Sequence, residues 1–114
     1  MKISIVLPAK NESAAIGQTL QKLRTQCASA EIIVVNDGST DDTASVASAA
    51  GARVLHHPYS KGNGAAIKTG ARAATGEVIV FMDADGQHDP ADIPRLLDTL
   101  QQGYDMVVGA RQKG

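Results

Sequence analysis

Short unbroken apolar runs recur along the chain, and each is followed by a stretch whose apolar positions fall three and four apart. Ile3 to Leu7 predicts a strand stopped by Pro8. Asn11 is placed to cap a helix carrying Ile16, Leu20, Leu23 and Cys27 along one face. Glu31 to Val35 predicts a second strand, and Ser39 followed by Asp42 has the pattern of a capping box opening a short alanine-rich helix that ends at Gly51. Arg53 to His56 reads as a third strand, residues 57 to 62 as a loop, Asn63 to Ala74 as a third helix closed by Gly76, and Glu77 to Met82 as a fourth strand. Asp89-Pro90 then opens a fourth helix with Ile93, Leu96, Leu97 and Leu100 on one face and Gly103 at its end; Asp105 to Val108 predicts a last strand.

Strands that are apolar on both faces and separated by helices need a parallel sheet covered on both sides. The fold class is therefore α/β: a doubly wound parallel sheet, expected strand order 3-2-1-4, in one domain over residues 1 to 114. In such sheets ligands bind at the carboxyl ends of strands where the order reverses, so the loops after strands one, two and four are the expected site.

Composition narrows the function. The 114 residues are 43% hydrophobic, and Tyr59, Phe81 and Tyr104 are the only aromatics, so small aliphatic side chains must fill the core and allow close helix-on-sheet packing. A net charge of −1 gives no general attraction to nucleic acid or to an anionic membrane, and no nucleic-acid partner is expected. Cys27 stands alone, which excludes a disulfide framework and a zinc set and fits an inert thiol in a reducing cytosol. The first apolar run is too short for a signal-peptide core or a membrane span, so a soluble, cytoplasmic chain is expected.

Chemistry concentrates in the predicted loops. Asp83 and Asp85 crowd the end of the fourth strand, where two acids repel unless a cation lies between them. Hard carboxylate oxygens suit Mg2+ or Mn2+, which complete their shells with phosphate oxygens and water. The plainer alternative makes them loop residues ahead of a helix cap at Asp89. Lys61-Gly62-Asn63-Gly64 lacks the spacing of a Walker loop, yet it brings backbone N–H groups and one cation together at a helix start, where a diphosphate would lie. A glycine-rich turn with a solvated lysine is the competing description. Asp37 is either a ligand group at a strand end or a turn residue before Gly38. His56 and His57 have no second cluster at metal spacing and are assigned structural or surface roles, as is His88.

Four segments in order carry a resemblance: Pro8-Ala9-Lys10-Asn11-Glu12, Val34-Val35-Asn36-Asp37-Gly38-Ser39-Thr40-Asp41, Lys61-Gly62-Asn63-Gly64 and Asp83-Ala84-Asp85-Gly86-Gln87. Together they resemble the Rossmann-like nucleotide-sugar half of family 2 glycosyltransferases of the GT-A fold. Asp-Ala-Asp-Gly-Gln is nearest to the branch that makes polyprenol (dolichol) phosphate mannose or glucose. The resemblance implies inverting transfer of a hexose from a UDP- or GDP-linked sugar, with Mg2+ or Mn2+ neutralising charge on the departing diphosphate. The acceptor it implies is a polyprenyl phosphate, which is already ionised and needs no general base.

By the same resemblance Pro8 and Ala9 would shape a loop against base and ribose. Glu12 would accept from the nucleoside, unless it merely complements a helix N-terminus, and Asp37 would accept from the ring N–H of the base. Lys61 and Gly62 would face the diphosphate. Asp83 would meet the ribose, or the metal through water; Ala84 would present backbone, Asp85 would bind the cation directly and Gln87 would complete its shell. Asp83 and Asp85 are thus the catalytic candidates. Arg111, with Lys113, would attract the acceptor phosphate unless both are simply solvated.

Members of the family usually continue for about as many residues again, so the chain is expected to hold the donor half, with the acceptor site mostly beyond Gly114. An open sheet edge would then favour a homodimer, and a lipid acceptor would bring the protein to the inner face of a membrane. Two rivals share the fold class. A binding module would hold the nucleotide without transfer, and a nucleotidyltransferase would want a glycine-rich, arginine-bearing loop after strand one. A dinucleotide-dependent oxidoreductase would need Gly-x-Gly-x-x-Gly there, and residues 8 to 13 contain no glycine.

Overall fold

The computed structural model describes residues 2–82 and the strand at 106–108. The chain alternates strand and helix: β1 (Ile3–Ala9), α1 (Ser13–Gln26), β2 (Glu31–Asp37), α2 (Thr43–Ala49), β3 (Arg53–His57), α3 (Asn63–Ala73), β4 (Val78–Phe81) and β5 (Met106–Val108). All pairings are parallel and the sheet runs β3-β2-β1-β4-β5, so the expected inner order holds. The predicted fourth helix lies outside the described residues.

Side chains alternate across the sheet, and two cores result. Ile5, Leu7, Ile32, Val34, Val78 and Val80 pack with Ile16, Leu20, Leu23 and Ala47, placing α1 and α2 on one face. Val6, Ile33, Val35 and Phe81 pack with Ala66 and the flanking Ile67 and Ala71 of α3 on the other. Gly70 sets that second spacing, because a Cβ there would stand 2.2 Å from Val6 Cγ1. Cys27 packs half-buried against the first core, and burial raises its thiol pKa, as suits an inert cysteine. No helix among the described residues is long and apolar enough to cross a membrane.

Three local expectations are corrected. Pro8 does not stop β1, which runs on to Ala9 and pairs Pro8 with Val35. The carbonyls of Lys2 and Val6 point toward β4, so by alternation the N–H that Pro8 lacks would also face that side. The β1–β4 register ends at Val6 with Phe81, on the side where Pro8 has no N–H to give, while β1 keeps pairing with β2 on its other side through Ala9. Asn11 does not cap α1: the N-cap is Glu12, and Asn11 sits at φ +54°, a left-handed conformation asparagine tolerates. Ser39 does not open α2 either, since the helix begins at Thr43 after Asp42.

Candidate functional site

Two loop clusters form at the carboxyl end of the sheet. The first joins the loop after β1 to the loop after β2. Asn11 N–H donates to Ser39 Oγ (2.9 Å), Glu12 N–H to Thr43 Oγ1 (2.9 Å) and Ser13 N–H to Asp41 Oδ2 (3.2 Å). In return Asn11 Oδ1 accepts from Thr40 N–H (2.8 Å). Asp41 Oδ1 accepts from the Thr43 backbone N–H (2.9 Å) and from the Thr43 hydroxyl, closing a local turn. One carboxylate therefore serves the N-termini of both α1 and α2. The Thr43 hydroxyl, with the Ser13 and Thr43 N–H groups, holds the Asp41 pKa down to about 2 against partial desolvation.

The second cluster is built on Asp37, at the end of β2 and buried at 6% exposure. Its Oδ1 accepts from His57 Nδ1 (2.7 Å) and Lys61 N–H (2.8 Å); its Oδ2 accepts from the Ser60 hydroxyl (3.0 Å) and Gly62 N–H (3.0 Å). An ionised carboxylate has about four acceptor positions, and here each has a donor. The nucleobase N–H expected at Asp37 would be a fifth. Burial opposes ionisation, yet the Lys61 and Gly62 N–H groups, His57 and Ser60 together lower the Asp37 pKa to about 2.

This cluster ties down residues 58–64, all of them exposed. Tyr59 is 65% exposed, and Lys61 Nζ lies 5.4 Å from its ring centroid, within cation–π range. Gly38 makes the close approach possible. It takes φ +73°, and a Cβ there would lie 2.5 Å from Ser60 N.

The three helix N-termini at this rim thus differ. Asp41 accepts from one N–H at the start of α1 and one at the start of α2, whereas the start of α3, at Gly62 directly after Lys61, gives its Gly62 N–H to Asp37. Anions are favoured at a helix start of this kind.

Among the residues expected to bind substrate, Asp37, Lys61 and Gly62 come together by direct hydrogen bonds. Pro8 and Ala9 lie beside them at the end of β1, Ala9 pairing with Asn36. Glu12 belongs to the other cluster, as the N-cap of α1. Asp83, Ala84, Asp85, Gln87 and Arg111 lie outside the described residues. Among the described residues no three His, Cys, Asp or Glu side chains gather as a metal site. Met82, the last residue before the Asp83-Ala84-Asp85 run, is buried and bonds its N–H to Val6 O, next to the carboxyl end of β1.

The sequence reading gave no site role to His57, Thr69, Asn11 or Asp41. His57 is the register partner of Asp37 across β2 and β3, and parallel neighbours share a face, but the expected strands ended at Val35 and His56, short of both residues. Asp41-Asp42-Thr43 carries the spacing of a side-chain turn over a helix start.

Comparison with known proteins agrees with this architecture. The family model described as glycosyl transferase family 2 matches residues 4–114. An uncharacterized protein of Methanocaldococcus jannaschii is 40% identical over 114 residues, covering 96% of this chain and 46% of the relative. An undecaprenyl-phosphate 4-deoxy-4-formamido-L-arabinose transferase of Klebsiella pneumoniae is 36% identical over 121 residues, covering 97% of this chain and 37% of the relative. Glucosyl-3-phosphoglycerate synthase from Mycobacterium tuberculosis, solved with Mn2+, UDP and phosphoglyceric acid, superposes with a TM-score of 0.79 at 36% identity, over 90% of this chain and 39% of that one. The chain spans less than half the length of each of these proteins.

Proposed function

The chain belongs to glycosyl transferase family 2, and from that premise we propose that it is the donor-binding half of an inverting hexosyltransferase. In this reading it holds a nucleoside-diphosphate sugar whose hexose passes to a polyprenyl phosphate. The observation that carries the proposal is the α3 N-terminus beside Lys61, on a glycine-bearing loop that Asp37 fastens through the Lys61 and Gly62 N–H groups. A diphosphate there would meet the first-turn N–H groups of α3 and the Lys61 ammonium.

Pro8 and Ala9 form the neighbouring strand end against base and ribose, and Glu12 accepts from the nucleoside. Asp37 supports the phosphate loop from behind. A base N–H at Asp37 would have to share an oxygen already occupied. The acceptor phosphate, drawn by Arg111, is ionised and attacks the anomeric carbon from the face opposite the diphosphate.

The pairing of Asp83 and Asp85, with Gln87, offers the hard oxygen donors that Mg2+ or Mn2+ takes. A cation held there supplies neutralisation of the charge that develops on the leaving diphosphate. The Mycobacterium tuberculosis neighbour crystallised with Mn2+ and UDP supports the cation and a uridine nucleotide. The Klebsiella pneumoniae relative supports a lipid-phosphate acceptor at a membrane face. Neither speaks for GDP or for a homodimer.

A second reading rests on length: since the chain spans less than half of these relatives, it binds nucleotide but does not turn over alone. Incubation with UDP-glucose, Mn2+ and undecaprenyl phosphate separates the two. Transfer predicts release of UDP matched by glucosylated lipid. Nucleotide binding without either product favours the second reading, and no binding contradicts both.

A further inference from the structure

His57 is the one buried histidine among the described residues, and both of its ring nitrogens are engaged: Nδ1 lies 2.7 Å from Asp37 Oδ1 and Nε2 lies 2.8 Å from Thr69 Oγ1. The ring donates from Nδ1 to the ionised Asp37, and Nε2 shares a hydrogen bond with the Thr69 hydroxyl. The ring thus bridges the end of β2 to the second turn of α3, while the remaining Asp37 acceptor positions hold Ser60, Lys61 and Gly62. Residues 58–64 are all exposed, so no apolar core holds this loop in place. Its attachment runs through polar contacts to Asp37, and His57 fixes Asp37 relative to the helix whose N-terminus the loop opens.

We propose that His57 is a positioning residue for the diphosphate end of the site. By bridging Asp37 to Thr69 it sets the loop that presents Lys61 and the start of α3. The inference rests on the nucleotide-binding reading above, and it separates from a simple core histidine by what it couples to. A histidine that only filled space would affect stability without regard to Lys61.

The test compares the 114-residue chain with His57→Phe, His57→Asn, Lys61→Ala and the double variant His57→Phe/Lys61→Ala, by amide hydrogen exchange and by calorimetry with UDP and Mn2+. His57→Phe is expected to speed exchange at Lys61 and Gly62 and to weaken UDP binding, each by about tenfold or more. His57→Asn, whose amide donates from near the position of Nδ1, should recover most of the protection. In the Lys61→Ala background the His57→Phe change should cost clearly less affinity than in the unaltered chain. Unchanged exchange at Lys61 and Gly62, or an equal loss of affinity with and without Lys61, overturns the proposal. If the unaltered chain binds no UDP, the nucleotide reading fails, and the exchange comparison alone decides whether His57 sets the loop.

Discussion

Four donors surround the two oxygens of Asp37, so its charge is built into the folded state. Its folded pKa of about 2 lies below the ordinary carboxylate value. The stability it contributes is therefore full above about pH 4 and is lost as the pH falls through about 2. Thermal melts between pH 7 and pH 2 should show this loss, and Asp37→Asn should flatten that part of the profile. At neutral pH the same substitution should cost about 2 kcal/mol, because the asparagine amide would turn a donor toward N–H groups that need an acceptor. An unchanged melt at pH 7 would contradict the burial and bonding of this side chain. The sequence placed Asp37 at a strand end on the correct rim. It did not say whether the carboxylate faces a ligand or its own chain, because the donors arrive from His57 and from a loop more than twenty residues away.

Strands and helices were legible because β1, β2, β4 and β5 are built on apolar runs and α1 carries its stripe at helical spacing. Helix starts were less so. Asn11 and Ser39 have the chemistry of caps, but each is used across loops, Asn11 N–H donating to Ser39 Oγ, and pairing over such a separation leaves no local pattern. Pro8 misled for a related reason: proline withholds a donor from one side of a strand only, and β1 continues to pair with β2 on the other. The close helix-on-sheet packing expected from a core of small side chains is seen in α3, with Gly70 the sharpest case. Gly70→Ala would drive a methyl group into Val6 and should cost about 2 kcal/mol despite the better helix propensity of alanine, lowering Tm by roughly 10 °C. Because α3 spans β1 and β2 and its N-terminus opens the proposed diphosphate site, the same variant should weaken UDP binding as well. A Tm equal to that of the unaltered protein would mean that α3 sits farther from the sheet.

The sheet order brings the ends of β1 and β2, the loop after β3 and the end of β4 to one rim. Asp41 closes one side of that rim, and Asp37 with His57 organises the other. The start of α3, which the Lys61-Gly62-Asn63-Gly64 run marked in the sequence, is the part of this rim proposed to meet the diphosphate, and the structure adds the Asp37 contacts that fasten it. On the sequence side, the Asp83-Ala84-Asp85 run supplied the metal expectation, and it lies outside the described residues. Calorimetry with UDP therefore joins the two parts of the account. The chain should bind UDP with micromolar to millimolar affinity only when Mn2+ is present; Asp85→Ala should abolish that binding, and Lys61→Ala should weaken it by about tenfold. Equal affinity with and without Mn2+ in all three proteins, or no binding to any of them, would contradict a nucleotide diphosphate held between the β4 end and the start of α3.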